Sequence, residues 1–163
     1  MTKTELVTCK EKILWSWLPV GVMVFVIFAL TLQSPSGTSR LSKWVQEFLL
    51  SLFDMGQAPV WVYNMHWVRS FAHIPLYFTL SLAFYVALRA SVGNRSMVRT
   101  AMLAALFSSL VGLLDEFVKI FLPSREFDLV DWGIDVLASI TGSGAGAAVS
   151  CFLGKSRKAT TTC

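Results

Sequence analysis

Charge is scarce in this sequence: 15% of its 163 residues are Asp, Glu, Lys or Arg, against about 25% in ordinary soluble domains. Histidine is scarcer still, with only His66 and His73, and the three cysteines, Cys9, Cys151 and Cys163, show no metal-type spacing. That excludes the usual thiolate or histidine zinc centre. No P-loop, glycine-rich nucleotide fingerprint or G-x-S-x-G turn occurs, so the common nucleotide-binding and serine-hydrolase signatures are missing. The net charge of +4 comes without a basic stripe interleaved with aromatics, and nucleic acid is not an expected partner. No repeat relates the apolar segments to one another, which argues against a transporter of duplicated halves. No cofactor is expected.

What the sequence has is apolar length. Hydrophobic residues make up 55% of the chain and mean hydropathy is +0.61, values that point to lipid as the solvent. The run from Ile13 to Leu32 has 20 residues without a charge, enough for a helix of about 30 Å and thus one bilayer crossing. Its exit, QSPSG, lacks the A-x-A pattern of a cleaved signal peptide, so an uncleaved anchor is expected. Further spans are expected at about residues 70–88, 98–116 and 133–153, after a first at about 13–32. The third has only 15 uncharged residues, Thr100 to Leu114, and reaches bilayer length if the helix continues into DEFVKIF. The fourth places Gly142 and Gly146 four apart among small residues, a pattern that lets helices approach closely.

Between the first two spans, SPSGTSRLS reads as a loop whose last serine, Ser42, can cap a following helix. Leu41, Trp44, Val45, Phe48, Leu49 and Phe53 then recur at helical spacing, predicting a short amphipathic helix over about residues 41–54. Trp61, Tyr63 and Trp67 have the character of interfacial anchors. The expected fold is an all-α integral membrane bundle of four transmembrane helices plus a short amphipathic outer helix, forming one domain.

Charge asymmetry orients it. With both termini cytoplasmic, nine of the fourteen basic residues lie inside (Lys3, Lys10, Lys12, Arg89, Arg95, Arg99, Lys155, Arg157, Lys158) and five outside (Arg40, Lys43, Arg69, Lys119, Arg125). This agrees with the positive-inside rule. The three cysteines then face the reducing side or its bilayer edge, and no disulfide is expected.

The same topology gathers the ionisable residues. Asp115 to Asp135 holds six acids and two basic residues, each costing roughly 2.5–3.5 kcal/mol at a membrane-helix centre on insertion scales. Arg69, His73 and Tyr77 are four apart and share a helix face at the start of the second span. Asp131 and Asp135 share a face that continues through Ser139, Gly142, Ser143 and Gly146. The candidate binding residues are therefore Arg69, His73, Tyr77, Asp115, Glu116, Lys119, Arg125, Asp131 and Asp135, all at the outer face. His73 and Asp135 form a candidate pair, and Arg125 or Lys119 can neutralise the acids. A hard divalent ion on Asp115, Glu116, Asp131 and Asp135 would need a crowding that spacing alone does not set.

These residues resemble the VanZ-like membrane proteins. The resemblance rests on R-x-x-A-H-x-x-x-Y, here Arg69, Ala72, His73 and Tyr77. It rests also on D-E-x-x-Q-x-F-x-P-x-R followed by an aspartate and a small-residue helix, here Asp115, Glu116, Phe121, Pro123, Arg125, Asp131 and Asp135. It spans about residues 14 to 153; Lys119 stands where the family usually has glutamine, and Ser139 near a common glycine. The resemblance implies a bacterial cytoplasmic-membrane protein of the cell envelope, in a family whose namesake is associated with low-level resistance to the glycopeptide teicoplanin.

Three functional readings stay open at this point. The outer polar site binds a membrane lipid headgroup, a lipid-linked envelope precursor or a glycopeptide. Alternatively, the protein is an enzyme on a lipid-linked substrate, with His73 as general base or nucleophile, Asp135 or Glu116 orienting it and Arg125 holding a phosphate. In the third reading the charges form an internal network that fixes the helices, and function lies in partner contacts.

Overall fold

The computed structural model describes residues 3–33, 35–51, 59–92, 96–122 and 127–160, with side chains described except at 3–10, 35–39, 41, 60–61, 65–66 and 153–160. Among the described residues five α-helices follow in order: α1 (Lys3–Thr31), α2 (Pro35–Ser51), α3 (Met65–Val92), α4 (Met97–Lys119) and α5 (Leu129–Thr160). A short 3-10 turn, Val60–Tyr63, precedes α3. Four of these helices are long and apolar enough to cross a membrane, over Glu11–Thr31, Trp67–Val92, Met97–Lys119 and Leu129–Phe152. The architecture is that of an all-helical, multi-pass membrane protein, with α2 as the short helix between the first and second spans.

The helix boundaries have local causes. The third span gains its length by running through Asp115 and Glu116 to Lys119, as its short uncharged run requires. At α5 the Asp128 carboxylate accepts the Val130 N–H at 2.8 Å, satisfying an otherwise unpaired donor of the first turn. The start of α2 differs from expectation. Residues Pro35 to Ser42 are helical rather than a loop, and Ser42 sits inside the helix instead of capping it. Proline fits a first helical turn because its missing N–H has no helical acceptor there, so the Pro-Ser-Gly run opens the helix. Leu41 and Phe53, assigned to the apolar face of that helix, lie outside the described side chains, as does Trp61 among the anchors. Tyr63 and Trp67 are exposed.

Helix α3 is the hub and packs against α1, α4, α5, α2 and the 3-10 turn. Its buried Tyr77, Leu80, Phe84, Ala87 and Leu88 follow helical spacing. The faces turned toward it are small or polar: Ala104, Ser108 and Gly112 on α4, and Ala138, Ser139, Gly142 and Ser143 on α5. Large apolar residues such as Phe25, Leu106, Leu137 and Phe152 point outward. This distribution suits lipid, where packing of small residues and internal hydrogen bonds, rather than hydrophobic expulsion, hold helices together.

The close approach expected of the glycines occurs between α5 and α3. A Cβ on Gly142 would overlap the Phe78 carbonyl, and one on Gly146 would come within 2.6 Å of the Tyr85 ring. Hydrogen bonds stitch the same seam. Ser81 Oγ donates to the Ser139 carbonyl at 2.6 Å, Ser139 Oγ to Ser108 Oγ at 2.8 Å, and Ser108 Oγ to the Tyr77 carbonyl at 3.4 Å. Three helices are thereby tied at one level.

Helix α1 is fixed at two heights. Near one end of the bundle Trp17 Nε1 donates to Ser91 Oγ at 2.9 Å, and its ring meets Phe84 edge-on at 6.1 Å. At the other end the Thr31 hydroxyl donates to Asp115 Oδ1. That second end also holds the start of α3, the end of α4 and the start of α5, and every described ionisable candidate lies there.

Candidate functional site

The site begins with the first turns of α3. Arg69, His73 and Tyr77 all line one cavity of about 120 Å³, as their shared helix face predicts. Ile27, Leu30, Val68 and Leu76 form apolar wall, while Thr31, Asp115 and Lys119 close the polar end. Ser42 and Val45 of α2 complete the lining, so the amphipathic helix covers the site. It is held there by Gln46 Nε2, which donates to the Val62 carbonyl of the 3-10 turn at 2.7 Å.

Beside this cavity lie two groups of ionisable side chains. In the first, His73 Nδ1 is 2.9 Å from Asp135 Oδ1, joining α3 to α5. Asp135 is fully buried, and its Oδ2 has no hydrogen-bond partner among the described residues. The His73 ring stacks on Tyr77 with centroids 5.9 Å apart, and the buried Tyr77 hydroxyl likewise has no described partner. Gly112 of α4 makes room for both: a Cβ there would meet Asp135 Oδ2 at 2.9 Å and Tyr77 Cε1 at 3.2 Å.

The second group is internally satisfied. Lys119 pairs with Glu116 and lies 3.6 Å from Asp115 Oδ2. Asp115 Oδ1 accepts from Thr31, and Glu116 Oε2 accepts the Asp128 N–H at 3.1 Å. This accounts for the buried lysine: its ammonium sits between two neighbouring carboxylates and offsets one of their two charges, which the membrane interior would otherwise penalise.

The charge count is uneven. Asp115, Glu116, Asp131 and Asp135 are each at most 4% exposed. Among the described residues only Lys119 and His73 pair with them. Arg69, half-buried and lining the cavity, makes no ion pair or hydrogen bond to a described residue.

Of the candidates read from the sequence, Arg69, His73, Tyr77, Asp115 and Lys119 meet in the cavity, and Glu116 and Asp135 stand beside it. Asp131 is buried in the first turn of α5 with Oδ1 unpartnered among the described residues. Arg125, proposed to neutralise acids or hold a phosphate, lies outside the described residues, as does the His66 side chain. Among the described residues the cation shared by Asp115 and Glu116 is Lys119. Sequence reasoning missed Thr31, whose only signal is a hydroxyl near the end of an apolar run, and Gly112, whose role rests on two neighbours from other helices. It also missed that His73, Glu116 and Asp135, one from each of α3, α4 and α5, bring ligand-type atoms within 4.8 Å of one another.

No family model matches the chain, and no curated protein or solved structure is significantly similar to it.

Proposed function

We propose that this protein binds the anionic head of a membrane lipid or lipid-linked envelope component at the outer face of the bacterial cytoplasmic membrane. The carrying observation is Arg69. This half-buried arginine, with no partner among the described residues, lines a cavity whose walls are mostly apolar. Charge at that depth is costly unless compensated, and a phosphate or carboxylate offers guanidinium paired acceptors at matching geometry. The apolar wall of Ile27, Leu30, Val68 and Leu76 suits the first methylenes of a lipid chain. Lys119 is not an equal competitor for the anion, because Asp115 and Glu116 already occupy it. The positive-inside count supports placing this end outside, and the resemblance to VanZ-like proteins supports an envelope role, with teicoplanin as a second ligand to test.

A second reading, an enzyme on the same bound lipid, is favoured by the His73–Asp135 contact at 2.9 Å. A buried carboxylate orients the imidazole as a general base must be oriented, and the ring lies on the cavity wall. Binding is the step both readings share.

The test is a thermal-shift titration of the full chain in detergent with a polyprenyl phosphate, phosphatidylglycerol, phosphatidylethanolamine and teicoplanin, repeated with Arg69→Gln. An anionic lipid raises the melting temperature, and Arg69→Gln weakens that binding about 10- to 100-fold, the worth of one charge-assisted hydrogen bond. Equal binding by the variant removes the proposal.

A further inference from the structure

We infer that His73, Glu116 and Asp135 form a binding site for a first-row divalent cation of the Mn2+ to Zn2+ series. The inference goes beyond the anion reading and does not depend on it, since Arg69 is not among the ligands.

Three observations carry it. The first is geometric: one imidazole nitrogen and two carboxylate oxygens, from three different helices, lie within 4.8 Å of one another. Neighbouring ligands on an ion with bonds of 2.0–2.2 Å are about 3.0–3.5 Å apart, and opposite ones about 4.2 Å. The His73 Nδ1 to Asp135 Oδ1 separation of 2.9 Å is close to a neighbouring edge. The Glu116 oxygen, within 4.8 Å of the other two, moves inward to complete the set.

The second observation is an open acceptor. Asp135 is fully buried, and its Oδ2 has no hydrogen-bond partner among the described residues. That oxygen points toward Gly112 on α4, one turn before Glu116, where a Cβ would come within 2.9 Å of it. The carboxylate therefore faces the helix that carries the third ligand. A buried carboxylate oxygen left without a donor is costly, and an ion provides its compensation.

The third is charge. Among the described residues the four buried carboxylates have one lysine and one histidine as ion-pair partners, and even a protonated His73 leaves two negative charges over. Lys119 contacts Asp115 and Glu116, and among the described residues no lysine or arginine pairs with Asp135. A divalent ion at His73, Glu116 and Asp135 supplies the missing charge where it is missing. Mixed imidazole and carboxylate donors favour Mn2+, Fe2+ or Zn2+ over Mg2+, which prefers oxygen alone. Ion and lysine share Glu116 through its separate lone pairs.

The experiment uses the full chain purified in detergent, stripped with chelator and titrated with Mn2+, Zn2+ and Mg2+. Bound metal is counted by elemental analysis after desalting, and melting is followed in parallel. One Mn2+ or Zn2+ per chain is expected, with a raised melting temperature and weaker Mg2+ binding. Asp135→Asn and Glu116→Gln each reduce affinity at least tenfold, whereas Glu47→Gln on exposed α2 does not. His73→Ala removes the nitrogen coupling from the electron spin-echo spectrum of bound Mn2+. Wild-type protein that retains no metal overturns the inference without recourse to variants. Equal affinity in Asp135→Asn, Glu116→Gln and wild type overturns it too.

Discussion

His73 and Asp135, 62 positions apart in the chain, meet at 2.9 Å between α3 and α5. The imidazole is part-exposed to the cavity while the carboxylate is fully buried. Asp135 thus depends on His73 for its one hydrogen bond among the described residues. Truncating one partner of a buried hydrogen bond leaves the other unsatisfied at a cost of about 1–3 kcal/mol, more where that group is charged. His73→Ala is expected to lower stability by that order, and Asp135→Asn by less, since the amide carries no charge. In the double mutant the losses should fall short of their sum by about 0.5–3 kcal/mol. Detergent melting of the four proteins reads the cycle, and strict additivity would show that the contact contributes nothing.

Lys119 offers a sharper contrast with its own surroundings. Its single charge is shared by Asp115 and Glu116, so Lys119→Gln leaves two adjacent buried carboxylates without their cation. A loss of about 3–5 kcal/mol is expected, and adding Glu116→Gln should recover part of it by removing one of the charges. A Lys119→Gln protein as stable as wild type would mean that the pair is not formed in the bilayer.

Much of this arrangement was legible in the sequence, and the reasons it was differ by residue. Uncharged runs of bilayer length located the four spans, and period-four spacing placed Arg69, His73 and Tyr77 on one face. Alternating topology then brought the start of the second span to the start of the fourth, which is why His73 and Asp135 emerged as a pair. The start of α2 was hidden because Pro-Ser-Gly serves equally in a turn and in the first turn of a helix. Thr31, Gly112 and the Ser81, Ser139, Ser108 chain were illegible for another reason. A lone hydroxyl or glycine within an apolar run has no spacing signal, and its meaning comes from atoms on other helices. The approach of Glu116 to His73 and Asp135 required helix rotations that period alone leaves free.

The glycines of α5 separate packing from propensity. Gly142 sits against the Phe78 backbone, which cannot turn aside, whereas nothing lies within 4 Å of a Cβ on Gly144. Gly142→Ala is expected to destabilise by at least 1–3 kcal/mol through overpacking. Gly144→Ala should be neutral or stabilising by up to about 1 kcal/mol, because alanine is the better helix former. The comparison is made by melting both variants in one detergent; similar losses at the two positions would contradict the observed α3–α5 contact.

Thr31 anchors the end of α1 to α4 through Asp115, and the Ile27 carbonyl, 3.1 Å from the same hydroxyl, is the competing acceptor for its one proton. Thr31→Val keeps the shape and removes the hydroxyl, leaving an Asp115 oxygen short of a donor at a cost of about 1–3 kcal/mol. Thr31→Ser should retain most of the stability. If valine and serine melt alike, the hydroxyl is not the anchor.

The orientation on which the lipid reading rests is tested without any ligand. Ser51, exposed at the end of α2, lies on the connection between the first two spans, and Ser96, exposed just before α4, lies on the connection between the second and third. The two must face opposite sides of the membrane. In a background without Cys9, Cys151 and Cys163, single cysteines at Ser51 and Ser96 are exposed to an impermeant maleimide in intact cells. The excess of lysine and arginine on the second connection and at both ends predicts that position 51 labels and position 96 labels only after lysis. Removal of Arg95 and Arg99 from the second connection should weaken that preference, since those charges are two of the nine that set it. The reverse pattern would turn Arg69 and its cavity to the cytoplasmic leaflet. The anion chemistry would survive that result, but an outer-leaflet envelope ligand would not.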